Sequence, residues 1–152
     1  MLTSVPQNVA KMARTVVINH PNAFNCQVIR KVVNQAPGQM IELDSEDEEN
    51  ISWDFIGNGY AVQVVDTFQP ANMNGWQDAN NTTDEKRFLI EPESAPGDPT
   101  WFEVHKHDVV YILLASGLVK LAFEVVQVET PLNIPPFCMR YVMNRRDDLH
   151  LP

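Results

Sequence analysis

A mainly β fold, a small barrel or sandwich with long loop insertions, is what this sequence predicts, and three observations predict it. Segments rich in Val, Ile, Tyr and Phe alternate apolar and polar residues with a period of two. No segment sustains the 3.6-residue period of a helix. The 11 prolines gather mostly in the polar stretches between the alternating segments, where they punctuate loops. With 152 residues, 44% of them hydrophobic, the chain can bury one core. Residues 1–152 therefore read as a single β domain, with an N-terminal arm at 1–13, an acidic loop at 44–50 and long loops at 69–85 and 92–100.

Taken in order, residues 4–14 have room for a turn or two of helix, and "RTVVINH" and "FNCQVIRKVVN" read as two strands split by "HPN". In the second, Cys26 and Val28 face opposite to Ile29 and Val33. "DSEDEEN" carries too many like charges to pack and stays a solvated loop. "GNGYAVQVVDTF" reads as a tight turn at its two glycines followed by a strand, with Tyr60, Val62 and Val64 on one side. "KRFLIEP" is a short strand and "ESAPGDPT" a loop. "WFEVH", "DVVYILL", "LVKLAFEVVQVE" and "FCMRYVMNRR" are strand-like, separated by "KH", "ASG" and "TPLNIPP". In the third of these, Val119, Leu121, Phe123, Val125 and Gln127 alternate with Lys120, Ala122, Glu124, Val126 and Val128. One face is apolar while the other begins polar and becomes apolar, which is the pattern of a strand in a small closed barrel.

Twenty acidic residues against 11 basic ones leave a net charge of −9, so the surface repels nucleic acid and anionic lipid. Cys26 and Cys138 lie far apart with no CxxC spacing, as expected of free thiols in a reducing compartment. The first residues lack the apolar stretch of a signal peptide, and the longest apolar run, 109–115, is far short of the roughly 20 residues a membrane helix needs. Synthesis in the cytoplasm without a membrane span is the expectation, and the Asn-x-Thr matches at Asn80 and Asn81 then carry no glycan.

The best candidate for chemistry is "WFEVHKHDVVYIL". On a strand, His105 and His107 would point to one face, as metal ligands do in a small metal-dependent barrel enzyme. A third ligand is needed, and in the jelly-roll metalloproteins called cupins a Glu follows the pair after three or four residues. Tyr111 and Ile112 stand there instead. His20 and His150 have no recommending spacing. The favoured reading makes His105, Lys106 and His107 a turn between two strands. Cys26 with His20 is conceivable as nucleophile and base, but no orienting third group can be named. The sequence has no GxSxG, P-loop, Rossmann fingerprint or HExxH. We therefore expect no catalytic, cofactor-binding or metal-binding residues and no enzyme.

Interfaces are the better-supported expectation. Trp53, Trp76 and Trp101 fall in or beside loops, where indoles either anchor partner proteins or pin the loops to the barrel. Arg140, Arg145 and Arg146 are followed by Asp147 and Asp148. This grouping suits a ring in which one subunit's basic patch meets the next subunit's acidic block, including Asp47 and Glu48. A local, solvated ion cluster worth little is the competing reading.

The stretch "KHDVVYILLASGLVKLAFEVVQVETPLNIPPFCMRYVMNRRDD" resembles the β-barrel neck proteins of tailed bacteriophages, the head-completion or head-tail connector components. The resemblance rests on Asp108 opening a strand that runs to Tyr111, on Phe123-Glu124-Val125, on the proline-bearing turn from Pro131 to Pro136 and on Tyr141. It covers about a third of the chain. It implies a virion structural protein, made in the bacterial cytoplasm and forming a homo-oligomeric ring between portal or adaptor and tail proteins. DNA would be passing cargo in such a channel, which carboxylates line better than cations. Capsid decoration or a baseplate position are the alternatives within a virion.

Overall fold

The computed structural model describes residues 4–33, 51–64, 85–130 and 139–149. They form one helix, α1 (Ser4–Asn19), and six strands: β1 (Phe24–Val33), β2 (Ile51–Val64), β3 (Glu85–Pro92), β4 (Val109–Leu114), β5 (Val119–Glu129) and β6 (Arg140–Arg145). All six pair antiparallel in the order β1-β2-β3-β6-β5-β4. The ring closes where Asn25 to Ile29 of β1 pair with Leu113 to Val109 of β4. The fold is therefore mainly β, and of the barrel and the sandwich it is the closed barrel. The acidic loop 44–50 with Asp47 and Glu48, residues 69–84 with Trp76, Cys138 and His150 all lie outside the described residues.

Period-two alternation fills the interior. Cys26 and Val28, Ala61, Phe88 and Ile90, Val110 and Ile112, Phe123 and Val125, and Tyr141 and Met143 all point inward from successive strands. Phe88 and Phe123 meet as a tilted aromatic pair, ring centroids 5.6 Å apart. β4 is buried on its other face as well, because Val109 and Tyr111 pack with Ala122 beneath Ile29, Trp53 and Leu149. A strand covered on both sides must be apolar throughout, which accounts for the unbroken "VVYILL". On β5 the ladder slips between Val125 and Gln127, a bulge. Past it Val128 packs against the core, so the polar face turns apolar where the extra residue rotates the strand.

Three readings from the sequence are corrected. Residues 14–19 of "RTVVINH" are the last turns of α1 rather than a strand, continuing the helix expected over 4–14, so residues 4–13 are its first turns rather than a separate arm. The β-branched run favours a strand locally, but packing decides: α1 lies against β2 and β3, and Val17 is buried there. Thr15 and Asn19 also fit the helix, each donating a side-chain hydrogen bond to the carbonyl four residues earlier.

"WFEVH" alternates as expected, with Phe102 and Val104 turned in and Trp101, Glu103 and His105 turned out, yet it joins no ladder. The β1–β4 pairing has already closed the barrel, so no free edge remains for a seventh strand. The segment instead runs as an irregular excursion from β3 to β4 that begins in the expected loop at 92–100, and Val104 enters the core.

"GNG" is not a turn. β2 runs through it without interruption, and both glycines answer to close packing. A Cβ on Gly59 would stand 2.6 Å from the Glu91 carbonyl oxygen across the β2–β3 ladder, and one on Gly57 would stand 2.5 Å from the Phe102 ring. The first obstacle is backbone and the second is a side chain that can turn. Gly59→Ala is expected to cost about 1–3 kcal/mol, within the range for overpacking, and Gly57→Ala less. Chemical denaturation of the two variants checks the order.

Candidate functional site

The sequence drew attention to the histidine pair; the structure moves it to Asp108. Lys106 and His107 form a turn in which His107 takes φ 72°, so the two imidazoles do not alternate along a strand. Both histidines are exposed, and His107 Nδ1 lies 3.4 Å from Glu124 Oε1. Tyr111 and Ile112, at the positions where cupins carry a ligand, are buried. Among the described residues no group of three or more His, Cys, Asp and Glu is placed to hold a metal ion.

Asp108 is 2% exposed, the one buried charged side chain among the described residues. Its carboxylate accepts from Arg30 Nε at 2.9 Å on one oxygen, and from Arg30 Nη2 at 2.8 Å and the His105 backbone N–H at 2.8 Å on the other. The same Nη2 donates to the Glu103 carbonyl at 3.0 Å. Backbone bonds complete the joint: His107 N–H to Val125 O at 2.8 Å and Val125 N–H to Asp108 O at 2.9 Å. A buried carboxylate needs this density of donors, because desolvation must be offset by charge-assisted hydrogen bonds. Arg30 gains in turn: its hydrogen bond to Asp108 holds its pKa above the ordinary arginine value, against the opposing effect of burial. The pair ties the excursion to β1 and the start of β4. A sequence cue existed, namely a charged residue directly before a strand too apolar to be solvated on either face.

The C-terminal arginines are engaged within their own chain. Arg140 donates from Nε and Nη2 to Glu129 Oε2, both at 2.9 Å. Arg145 Nε reaches Asp147 at 2.7 Å. Arg146 forms a fork on Asp148 at 2.8 and 2.7 Å and also binds Glu124. Those bonds, to Asp148 first and Glu124 second, raise its pKa above the ordinary value. With Arg146 N–H on Ala122 O at 2.9 Å, the network fastens the chain end across β5. The partly exposed pairs are worth about 0–1 kcal/mol each. Of the tryptophans, Trp53 stands on β2 rather than in a loop and is half-buried over β4, while Trp101 is exposed on the excursion.

Cys26 is buried in the barrel core, and His20 stands at the turn after α1. Burial pushes the Cys26 thiol up to about 12 despite a hydrogen bond from the Gly59 backbone, so the thiolate is scarce at neutral pH. His20 Nδ1 accepts from the Asn22 N–H at 3.1 Å and serves the turn after α1. An open cleft of about 330 Å³ beside Cys26 is lined by Asn25, Gln27, Asn58, Tyr60, Glu93 and Leu113, a mostly polar set with one carboxylate.

α1 is docked by Arg14, whose Nη1 donates to the Pro92 carbonyl at 2.7 Å and lies 3.4 Å from Glu91 Oε2, while Nη2 donates to the Glu93 carbonyl at 3.1 Å. Burial raises the Glu91 carboxyl above the usual glutamate range, and Arg14 lowers it only in part. A carboxyl raised in the folded state favours folding while protonated. Its contribution is present below the unfolded glutamate value and is lost as pH rises through the folded one. Glu91→Gln is therefore expected to lose less stability than the unaltered chain between about pH 4 and pH 7. Denaturant midpoints across that range test it, and equal slopes would contradict it.

Among the described residues, fold and surface together define a closed six-stranded antiparallel β-barrel whose buried and clustered charges fasten its excursion, helix and C-terminal end to the barrel wall. Among the described residues, no helix is long and apolar enough to cross a membrane. Compared with family models, curated proteins and solved structures, the chain finds no match.

Proposed function

We propose that the chain is a structural virion protein of a tailed bacteriophage, a subunit of a homo-oligomeric ring in the neck between portal and tail. One observation carries the reading. The described part of the segment that resembles neck proteins folds into three adjacent strands, β4, β5 and β6, with Asp108 as the joint that opens them and Tyr141 in the core. The resemblance thus follows one contiguous half of the barrel wall rather than scattered residues. Its partners are further copies of itself and the flanking portal, adaptor and tail proteins. DNA passes through without being read, and the net charge of −9 suits sliding rather than grip.

The histidine pair gives no specific support to a metal-dependent enzyme, since its two rings sit on a turn. Mass spectrometry and antibody-gold labelling of purified particles test the neck reading. Label at the head-tail junction is expected. Label on the capsid face or baseplate would reassign the chain to decoration or baseplate, and absence from every particle fraction would end the proposal.

A further inference from the structure

Helix α1 carries more apolar surface than the barrel covers. Pro6, Ala10, Ala13 and Val17 form its buried and half-buried side. Val5, Val9, Met12 and Val16 lie about 100° further round, and they are 56%, 42%, 69% and 61% exposed. Their steps of four, three and four residues are those of a coiled-coil seam. The set is also symmetric about its own centre, between Ala10 and Lys11: Val5 and Val16 are equally far from that point, as are Val9 and Met12. An antiparallel copy therefore places Val5 against Val16 and Val9 against Met12, a surface complementary to itself about a two-fold axis.

Self-complementary spacing favours a second copy as the occupant, and charge permits it on this face. Two chains of net charge −9 repel across most approaches, but α1 has Lys11 and Arg14 and no carboxylate. The residues flanking the seam, Pro6, Asn8, Ala13 and Thr15, are uncharged. Arg14 is bonded to the barrel and Lys11 lies about 130° round from the seam, so neither supplies the basic rim of a helix lying on an anionic membrane. The helix is already folded and docked, so pairing costs little additional ordering.

We infer that α1 is a self-association site at which two copies pair antiparallel, with Val5 and Val9 of one against Val16 and Met12 of the other. The inference does not rest on the neck reading. Two-fold pairing closes at two copies, so a ring uses other surfaces.

The test is sedimentation equilibrium of the full chain from roughly 1 to 100 µM. Dimer mass growing with concentration is expected. Val9→Glu alone and Met12→Lys alone should each weaken the dimer at least about tenfold. The combined variant V9E/M12K should restore it, because antiparallel pairing sets each Glu opposite a Lys, whereas parallel pairing sets Glu against Glu. Both side chains are exposed, so thermal melts of dilute variants should match the unaltered chain. A monomer at every concentration, a dimer indifferent to the single substitutions, or a double variant as weak as the singles would overturn the inference. Binding to phosphatidylserine vesicles with no dimer would overturn it too. Absence from virions would sink the neck reading and leave this result standing.

Discussion

Asp108→Ala is expected to lower the folding free energy by about 3 kcal/mol, the low end for breaking a buried ion pair from one side. The low end applies because Arg30, left behind, is 31% exposed and can turn to water. The His105 N–H loses its acceptor in the same substitution, adding to the loss. The converse substitution, Arg30→Met, should cost more, since it leaves the carboxylate 2% exposed and without its cation. Denaturant unfolding of both variants gives the comparison. Asp108→Ala costing more would mean that Arg30 is not the main compensation for the buried charge. Hydrogen exchange should also quicken at 103–108, where the excursion is fastened, before it quickens in the barrel strands.

Phe123→Ala should be more damaging still, about 3–5 kcal/mol, because it removes a ring that is 4% exposed and packed on Phe88. Domains of this kind have only about 5–15 kcal/mol in hand. At roughly 2–4 °C per kcal/mol for a chain of this size, the melting temperature should fall by about 6–20 °C. Leu118→Ala, at the tip of the β4–β5 hairpin and 88% exposed, serves as the contrast. It should change stability by less than about 0.5 kcal/mol. Similar melting points for the two variants would mean that the aromatic pair contributes little to the core.

Much of the candidate site was not legible in the chain. "HKHD" drew attention to its histidines because their spacing matches a metal-binding pattern, whereas its structural weight lies on Asp108, whose partner Arg30 is 78 residues away. A sequence shows that a charge beside an apolar run needs a partner, but not which one. Arg140, Arg145 and Arg146 read as an interface or, somewhat more, as a local cluster, and the carboxylates they meet lie in the same chain, on Glu129, Asp147, Asp148 and Glu124. The exposed seam of α1 was hidden for a different reason. "TVVIN" has the composition of a strand, and its helical spacing becomes visible only once the helix is known.

By itself the sequence determined what depends on local period and composition: a mainly β domain, the inward faces of β1 and β5, the loop after β3 and the acidic balance. Side-chain alternation is a property of the extended backbone and needs no distant partner to be read. Tertiary structure decided where distant segments compete for the same surface. Closure of β1 on β4 denied "WFEVH" a ladder, docking on β2 and β3 made "RTVVINH" a helix, and the approach of Glu91 and Phe102 required the glycines of an unbroken strand. Each of these outcomes follows from burial and steric exclusion between residues far apart in the chain, to which local propensity is blind.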